Sequence, residues 1–396
     1  MTAGEIEFEP LDTSDLDRWV GQPIGGPRLK EPMTAMDIRR WVQAMENPNR
    51  LHFDEAFAAE STFGRLVAPQ SFTMWWCRGQ GGFSAAFGEI PGAHLSEVAD
   101  EWWFYGPRLY PGDRVRCDRM HFDYRVTTTG FAGPSVFQRG DTTYINDRGE
   151  IVAKQRNTML RFLPANARKI AEAARAAGGA GSPDVVADRA KVGEEKLAYY
   201  RTFADHVQRC GKGVSVGDEL PLGVIGPHSV ASFTTQWRAR PDNVWGVLTD
   251  DIALPLGYPT ATSSPDMVVD PAVAAIDPGR ADGLYYGPAS THVDLEKARA
   301  IGMPREFGYG YAISAWTMDY IGNWAGELGA ITHSKFRNQA PALAGDATYL
   351  RGTVKAVSDD PLVAGAARVT VDVSLRSQNE VGIGVATFEV RLPWSI

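Results

Sequence analysis

The chain repeats its own pattern, and this duplication limits the possible folds more than any other feature of the sequence. The glycines of two recurring turns, Gly112 with Gly345 and Gly149 with Gly382, are both 233 residues apart. Four short segments recur in the same order: Pro32–Thr34 as Pro227–Ser229, His52–Asp54 as His292–Asp294, Pro107–Asp113 as Pro341–Asp346, and Asn146–Ala153 as Asn379–Ala386. This order indicates a tandem duplication of one structural unit.

Each copy shows the same series of predicted elements: a capped helix, a loop, a longer apolar helix and a set of strands. The apolar helix is predicted within Pro69–Gly79 in the first copy and over Tyr311–Trp324 in the second. Turns rich in Gly, Asn and Asp separate the strands, as in an antiparallel meander. The predicted strands are Glu101–Tyr105, Arg114–Val126, Ser135–Asn146 and Ile151–Phe162, then Ser334–Asn338, Ala347–Val357, Arg368–Gln378 and Gly384–Leu392.

These elements predict an α+β fold in which a long helix lies on a curled antiparallel sheet in each half. We expect a first domain over residues 1–164, a linker over 165–198 and a second domain over 199–396. The two sheets could pair edge to edge and so hide their exposed edges. The second copy carries a long insertion at about 238–291, which either covers a substrate tunnel or has no role in the site.

Composition excludes several classes of function. The net charge of −8 and the absence of a basic stripe argue against nucleic acid as a partner. Cys77, Cys117 and Cys210 are scattered, which argues against a disulfide framework and against a zinc site. The N-terminus lacks the apolar core of a secretory signal, and no run of eighteen apolar residues is present. We therefore expect a cytoplasmic protein with neither a metal nor a bound cofactor.

The segment Trp41–His52 (WVQAMENPNRLH) predicts a site. Thr34 is a natural N-cap for a helix that ends near Met45, and Pro48 cannot continue that helix. Polar side chains are therefore held on irregular backbone beside an apolar element, a common way to build a functional site. Asp54, just beyond, is predicted to cap a short helix over Glu55–Glu60.

The turn resembles the hydratase motif of the MaoC-like, (R)-specific enoyl-CoA hydratase family, roughly Asp-x-Asn-Pro-Leu/Ile-His. Asn49, Leu51 and His52 match that pattern, whereas Asn47 stands at the aspartate position and Arg50 replaces the proline. The resemblance implies a hot-dog fold, here a tandem or double hot dog. It also implies that His52 is the catalytic histidine.

Hydration of a 2-enoyl thioester needs a base for water, an acid for Cα and donors for the thioester oxygen. A histidine with a pKa near neutrality suits the first two tasks, so His52 is the main candidate. Asn47 and Asn49 can orient water or hold the imidazole tautomer, but neither can accept a proton. Glu46 is the nearest carboxylate and the alternative base. The alternatives without a catalytic role are a buried histidine that is hydrogen-bonded to the backbone, and asparagines that only form the turn.

The oxyanion donors are expected at the start of the apolar helix, where N–H groups lack partners. In the first copy these are the amides of Gln70 and Ser71, after Pro69.

In the second copy His292 stands without an acid or asparagine in its motif, and Tyr309-Gly310 precede the helix. We interpret this copy as the half that shapes the acyl tunnel. Alternatively, His292 and a carboxylate of the insertion, such as Asp282, form the working site.

We therefore predict a hydratase or dehydratase that interconverts 2-enoyl and 3-hydroxyacyl thioesters, linked to coenzyme A. The catalytic residues are predicted to be His52, Asn47, Asn49, Gln70 and Ser71, and the substrate-binding residues Glu46, Pro69, His292, Tyr309 and Gly310. Three alternatives remain: a non-catalytic hot-dog subunit that needs a partner chain, a thioesterase, and a dehydratase for carrier-protein thioesters. A homodimer, or a complex with a related hot-dog subunit, is expected.

Overall fold

The computed structural model of the chain describes residues 6–24, 26, 28–29, 31–76, 84–176, 186–240 and 289–396. Most of the predicted insertion, with Asp282, lies outside these residues. The centre of the predicted linker, Gly178–Pro183, lies outside them too. The domain boundaries at 164 and 199 stay predictions.

Within the part of the chain that the structure describes, nine antiparallel strands form one continuous sheet, in the order β2-β3-β4-β1-β6-β9-β8-β7-β5. The two halves join where β1 pairs with β6, from Ala99 opposite Arg337 to Trp103 opposite His333. The predicted edge-to-edge pairing is therefore confirmed. The strands are β1 (His94–Phe104), β2 (Val115–Thr129), β3 (Gly133–Asn146), β4 (Ile151–Phe162), β5 (Gly223–Ile225), β6 (Ala330–Asn338), β7 (Thr348–Asp359), β8 (Ala366–Ser377) and β9 (Gly382–Pro393).

The predicted strands agree with these bounds to within a few residues, except that β1 begins seven residues before the predicted Glu101. The turn between β3 and β4 shows why the sequence predicts the strand boundaries. Asn146 accepts hydrogen bonds from the backbone N–H groups of Arg148 and Glu150, and Gly149 has a φ of +81°. Asn and Gly are the residues that such a turn favours.

Eight α-helices accompany the sheet within the described residues. They are α1 (Ala35–Ala44), α2 (Glu55–Glu60), α3 (Pro164–Ala176), α4 (Arg189–Arg201), α5 (Val230–Arg238), α6 (Ser290–Val293), α7 (Leu295–Ala300) and α8 (Gly310–Ala325). No helix in the described ranges is long and apolar enough to cross a membrane.

The helix caps repeat between the halves, which confirms the duplication. Thr34 closes a capping box on α1, and Ser229 closes one on α5. Asp54 caps α2 as predicted, and Asp294 caps α7 in the same way. An N-cap side chain satisfies a backbone N–H that the helix itself leaves without an acceptor.

The central helix differs between the halves. In the second half, α8 matches the predicted Tyr311–Trp324 to within one residue at each end, and nearly all of it is buried. In the first half the described residues Gln70–Trp76 form a 3₁₀ helix, so the prediction of an α-helix there is wrong. Five of these seven residues are Ser, Phe, Thr or Trp, which are weaker helix formers than Ala or Leu. Residues 77–83 lie outside the description.

Aromatic side chains tie the halves into one core. Trp41 of α1 stacks on Tyr311 of α8, with ring centroids 6.2 Å apart, and packs edge-on against Phe72. Both Trp41 and Tyr311 are almost completely buried. The core therefore brings the turn after α1 against the helix of the other half.

Candidate functional site

His52 ends a 3₁₀ turn, Arg50–His52, between α1 and α2. Its side chain is buried, and its Nδ1 lies 2.8 Å from the carbonyl oxygen of Val67. Because a carbonyl only accepts, Nδ1 carries the proton in the neutral ring. The lone pair of Nε2 is then available to accept a proton. The predicted histidine thus has a fixed tautomer suited to a base.

The two asparagines of the turn build its shape and attach it to α8. The Asn47 side-chain oxygen accepts the N–H of Asn49 at 3.0 Å and an N–H of the Asn323 side chain at 3.1 Å. Asn49 in turn donates to the Asn323 oxygen at 3.1 Å and accepts from the N–H of Leu51. These reciprocal amide bonds fix one turn of α8 relative to His52.

A small cavity of about 20 Å³ lies at this junction. That volume holds about one water molecule. Its polar lining comes from both halves: Asn49, His52, Gln70 and Arg108 from the first, and Asp319 and Asn323 from α8. Pro69 and Phe63 contribute apolar walls. Of the predicted residues, the structure therefore gathers His52, Asn49, Pro69 and Gln70 around one cavity.

Asp319 was not predicted from the sequence. It is the single acidic residue of α8, and burial raises the pKa of its carboxyl group to about 7, against the opposing effect of the Ser71 and Asn47 side chains. Those two side chains act on it as weak hydrogen-bond donors, and no donor among the described residues reaches its oxygens with good geometry. A carboxylate in an otherwise apolar helix was the available sequence signal, but only the fold places it beside His52.

Arg108 supplies the cationic side of the cavity. Its guanidinium donates to the carbonyl of Ala68 at 3.3 Å and lies 5.2 Å from the ring centre of Phe63. Burial lowers the pKa of Arg108 to about 10, which leaves it charged at neutral pH. Burial, assisted by this charge, lowers the pKa of His52 to about 3. The near-neutral pKa expected for His52 is therefore wrong, because the ring has been taken out of water.

The predicted oxyanion donors begin the first 3₁₀ segment. As its first two residues, Gln70 and Ser71 have backbone N–H groups without an acceptor inside the helix. The Gln70 side chain bonds both the N–H and the carbonyl of Ile331 in β6, each at 2.8 Å. The Ser71 hydroxyl accepts from the indole N–H of Trp41 at 2.9 Å. Both side chains are thus engaged in structural hydrogen bonds. The predicted role as oxyanion donors falls to the backbone N–H groups alone.

Glu46 does not line the cavity. It has a φ of +56°, which is uncommon for a residue other than glycine. Its carboxylate accepts from the ammonium of Lys196 at 2.5 Å and from the N–H of Gly226 at 3.0 Å. The geometry contradicts its predicted role in substrate binding and its role as the alternative base, because the carboxylate is engaged in an ion pair elsewhere.

A second pocket of about 260 Å³ lies beside His292. The Nδ1 of His292 is 2.8 Å from the carbonyl oxygen of Phe307, and its ring stacks on Tyr309 at 4.1 Å. Tyr309 and Gly310 line this pocket with His292, and so does Glu97. Most other lining residues are apolar: Leu95, Val98, Phe131, Met159, Leu160, Met303, Phe307 and Ile313. No cluster of side chains within the described ranges could hold a metal ion.

Comparison with known proteins adds two matches in sequence. The family described as FAS1-like, dehydratase domain region, matches residues 18–155. A protein of Thermomonospora curvata named probable enoyl-CoA hydratase alpha subunit is 30% identical over 165 residues, 38% of this chain. The match spans about half the length of that relative, 51%.

Solved structures match over nearly the whole chain. A MaoC-like dehydratase is 18% identical and covers 96% of this chain and 100% of its own, with a TM-score of 0.59. A putative MaoC domain protein dehydratase from Chloroflexus aurantiacus is 13% identical, covering 95% and 96%, with a TM-score of 0.53. A Mycobacterium tuberculosis protein with a double hotdog fold is 14% identical, covering 96% and 98%, also with a TM-score of 0.53. The predicted double hot-dog fold is thereby confirmed.

Proposed function

We propose that the chain is a member of the MaoC-like hot-dog dehydratase family, and that it is a hydratase or dehydratase that interconverts 2-enoyl and 3-hydroxyacyl thioesters of coenzyme A. The observation that carries this proposal is the buried His52, which holds a free Nε2 lone pair at a water-sized cavity lined by both halves. The relative named as an enoyl-CoA hydratase subunit supports the same reaction.

In the hydration direction, Nε2 of His52 would take a proton from the water that attacks Cβ. Negative charge would then develop on the thioester oxygen. The backbone N–H groups of Gln70 and Ser71 would stabilise it, and the positive charge of Arg108 lies at the cavity that Gln70 lines. Asn49 would help to orient the water, while Asn47 and Asn323 hold the turn in place.

The cavity suits one water molecule and is too small for an acyl chain. The pocket beside His292 has the volume and the apolar lining that a chain or ring system needs. We therefore assign the attacking water, with Cα and Cβ beside it, to the cavity at His52, and the rest of the acyl group to the pocket beside His292.

The test is a panel of enoyl-CoA esters, from short chains to steroid-like acyl groups, followed by loss of absorbance of the conjugated thioester. We expect hydration by the wild type, and a loss of about 10³-fold or more in kcat/KM for His52→Ala, since general acid–base groups contribute about 10²–10⁴-fold. His333→Gln is the matched control, because this histidine is bound to Glu101 on the sheet, away from the cavity.

Full activity of His52→Ala would move the chemistry elsewhere. Activity that appears only after a second hot-dog chain is added would support the alternative of a subunit that depends on a partner. The "alpha subunit" in the relative's name and the Asn at position 47 are the observations in favour of that alternative.

A further inference from the structure

The first-half motif lacks the carboxylate that its pattern calls for, because residue 47 is asparagine. We propose that Asp319, from the central helix of the second half, supplies this carboxyl group and acts as the catalytic acid that protonates Cα. This inference rests on the hydratase function proposed above. It makes the active site a product of both halves of one chain.

The geometry supports the assignment at three points. Asp319 and His52 line the same cavity, although 267 residues separate them. Asn323, one helical turn after Asp319 on the same face, bonds both asparagines of the histidine turn at 3.1 Å. The carboxyl group is therefore held in position by a buried α-helix of sixteen residues, rather than by a loop.

The surroundings leave this carboxyl group available for proton transfer. It is buried, no cation pairs with it within the described residues, and only the Ser71 and Asn47 side chains act on it, as weak hydrogen-bond donors. A purely structural buried carboxylate is normally paired or fully hydrogen-bonded, because an isolated one is costly. His52 and Arg108 are the other titratable or charged groups of the cavity wall.

The proton balance of hydration can be written with these two groups. The water oxygen bonds to Cβ, its proton moves to Nε2 of His52, and the π electrons of the double bond shift towards the thioester oxygen. The resulting enolate takes the proton of the Asp319 carboxyl group at Cα. The proton on His52 then passes to the Asp319 carboxylate through cavity water, which restores both groups, and the sum is addition of one water.

The protonation states of both groups at neutral pH agree with the start of this cycle. Burial raises the pKa of Asp319 to about 7, so that the carboxyl group can give and regain a proton near neutral pH. Burial lowers the pKa of His52 to about 3, so that its imidazole enters the cycle neutral.

The raised pKa also yields a readout that is independent of catalysis. Between about pH 4 and 7 the native state binds more protons at Asp319 than the unfolded state does, so that folding stability falls as pH rises. Asp319→Asn removes this loss. The variant should therefore melt at a higher temperature than the wild type at pH 8, and this gain should shrink at pH 5.

The experiment compares Asp319→Asn, Asn47→Asp and the double variant that exchanges the two groups. Asp319→Asn should lower kcat at least 100-fold and remove the ionisation near pH 7 from the kcat profile. The double variant should recover at least tenfold of that loss, because it returns a carboxylate to the motif. Asp100→Asn is the control: this buried carboxyl group binds Gln155 and Asn157 outside the cavity, and we expect activity within tenfold of the wild type.

The outcomes separate the two proposals. If Asp319→Asn retains activity within threefold of the wild type, or if the double variant is no better than Asp319→Asn, the inference is overturned while the hydratase function stands. A wild type that hydrates no thioester would overturn both.

Discussion

The two halves hold equivalent histidines in the same way and surround them differently. Both His52 and His292 bring Nδ1 to within 2.8 Å of a backbone carbonyl fifteen residues later. In each half an aspartate two residues after the histidine caps the next helix. The cavity beside the first histidine is about 20 Å³, whereas the pocket beside the second is about 260 Å³. Duplication preserved the backbone anchor while the lining diverged.

The residue at the start of each central helix explains part of this difference. In the first half Gln70 reaches across to β6 and bonds both backbone groups of Ile331. Its counterpart is Gly310, where an added Cβ would lie 2.8 Å from the backbone oxygen of Glu97 in β1. A long side chain therefore closes one helix start, and close backbone packing requires glycine at the other.

At neutral pH, exchanging these two residues should produce the largest effects on stability. Gly310→Gln forces Cβ against β1, and overpacking of this kind costs about 1–3 kcal/mol. Gln70→Gly leaves a buried N–H and a buried carbonyl of Ile331 without partners, which costs about 1–3 kcal/mol. Urea denaturation measures both free energies of unfolding.

Gly322→Ala is the control for these glycine changes. It lies on the same helix, and its Cβ would meet no atom within 4 Å. We expect stabilisation by about 0.4–1 kcal/mol, since the unfolded chain loses freedom. A Gly310→Gln variant as stable as this control would show that β1 can shift to accept the side chain at little cost in free energy. The packing explanation would then be abandoned.

The pH dependence of stability gives the next expected effect, which is small near neutral pH and grows as the pH falls. Because burial lowers the pKa of His52 to about 3, the native state holds fewer protons at this ring than the unfolded state between that pKa and about pH 6.5. Stability is therefore full above about pH 6.5 and is lost as pH falls, by up to about 1.4 kcal/mol per pH unit for one histidine.

His52→Gln should flatten the stability curve between about pH 3 and 6.5, measured by urea denaturation at successive pH values. His228→Gln should do the same, since burial lowers the pKa of His228 to about 3 as well. An unchanged slope in both variants would show that these rings gain protons without unfolding.

The smallest effect is expected at the second histidine. His292→Gln should leave kcat within tenfold of the wild type and raise KM mainly for long or bulky acyl groups, because this ring lines the larger apolar pocket. Steady-state kinetics with short and long enoyl-CoA esters separate the two parameters. A fall in kcat as large as that of His52→Ala would reverse the assignment of roles to the halves.

Local sequence signals predicted the parts of the site whose geometry is local. The capping aspartate at position 54, the turn around Pro48 and the strand Ile151–Phe162 all depend on neighbouring residues, so the pattern was sufficient. The first-half helix was predicted incorrectly, since an apolar run does not distinguish an α-helix from a 3₁₀ helix. Glu46 is close in sequence to the motif, yet its carboxylate is bound to Lys196 and to the N–H of Gly226.

The sequence by itself determined the duplication, the α+β class, the boundaries of most strands and the identity of the anchored histidine. These follow from periodicity, caps and turn residues, which act over a few positions. Only the tertiary structure decided which carboxyl group faces that histidine, how large each cavity is and how strongly the imidazole pKa is lowered. Those properties depend on burial and on contacts between residues such as Asn47 and Asn323, 276 positions apart, which no local pattern encodes.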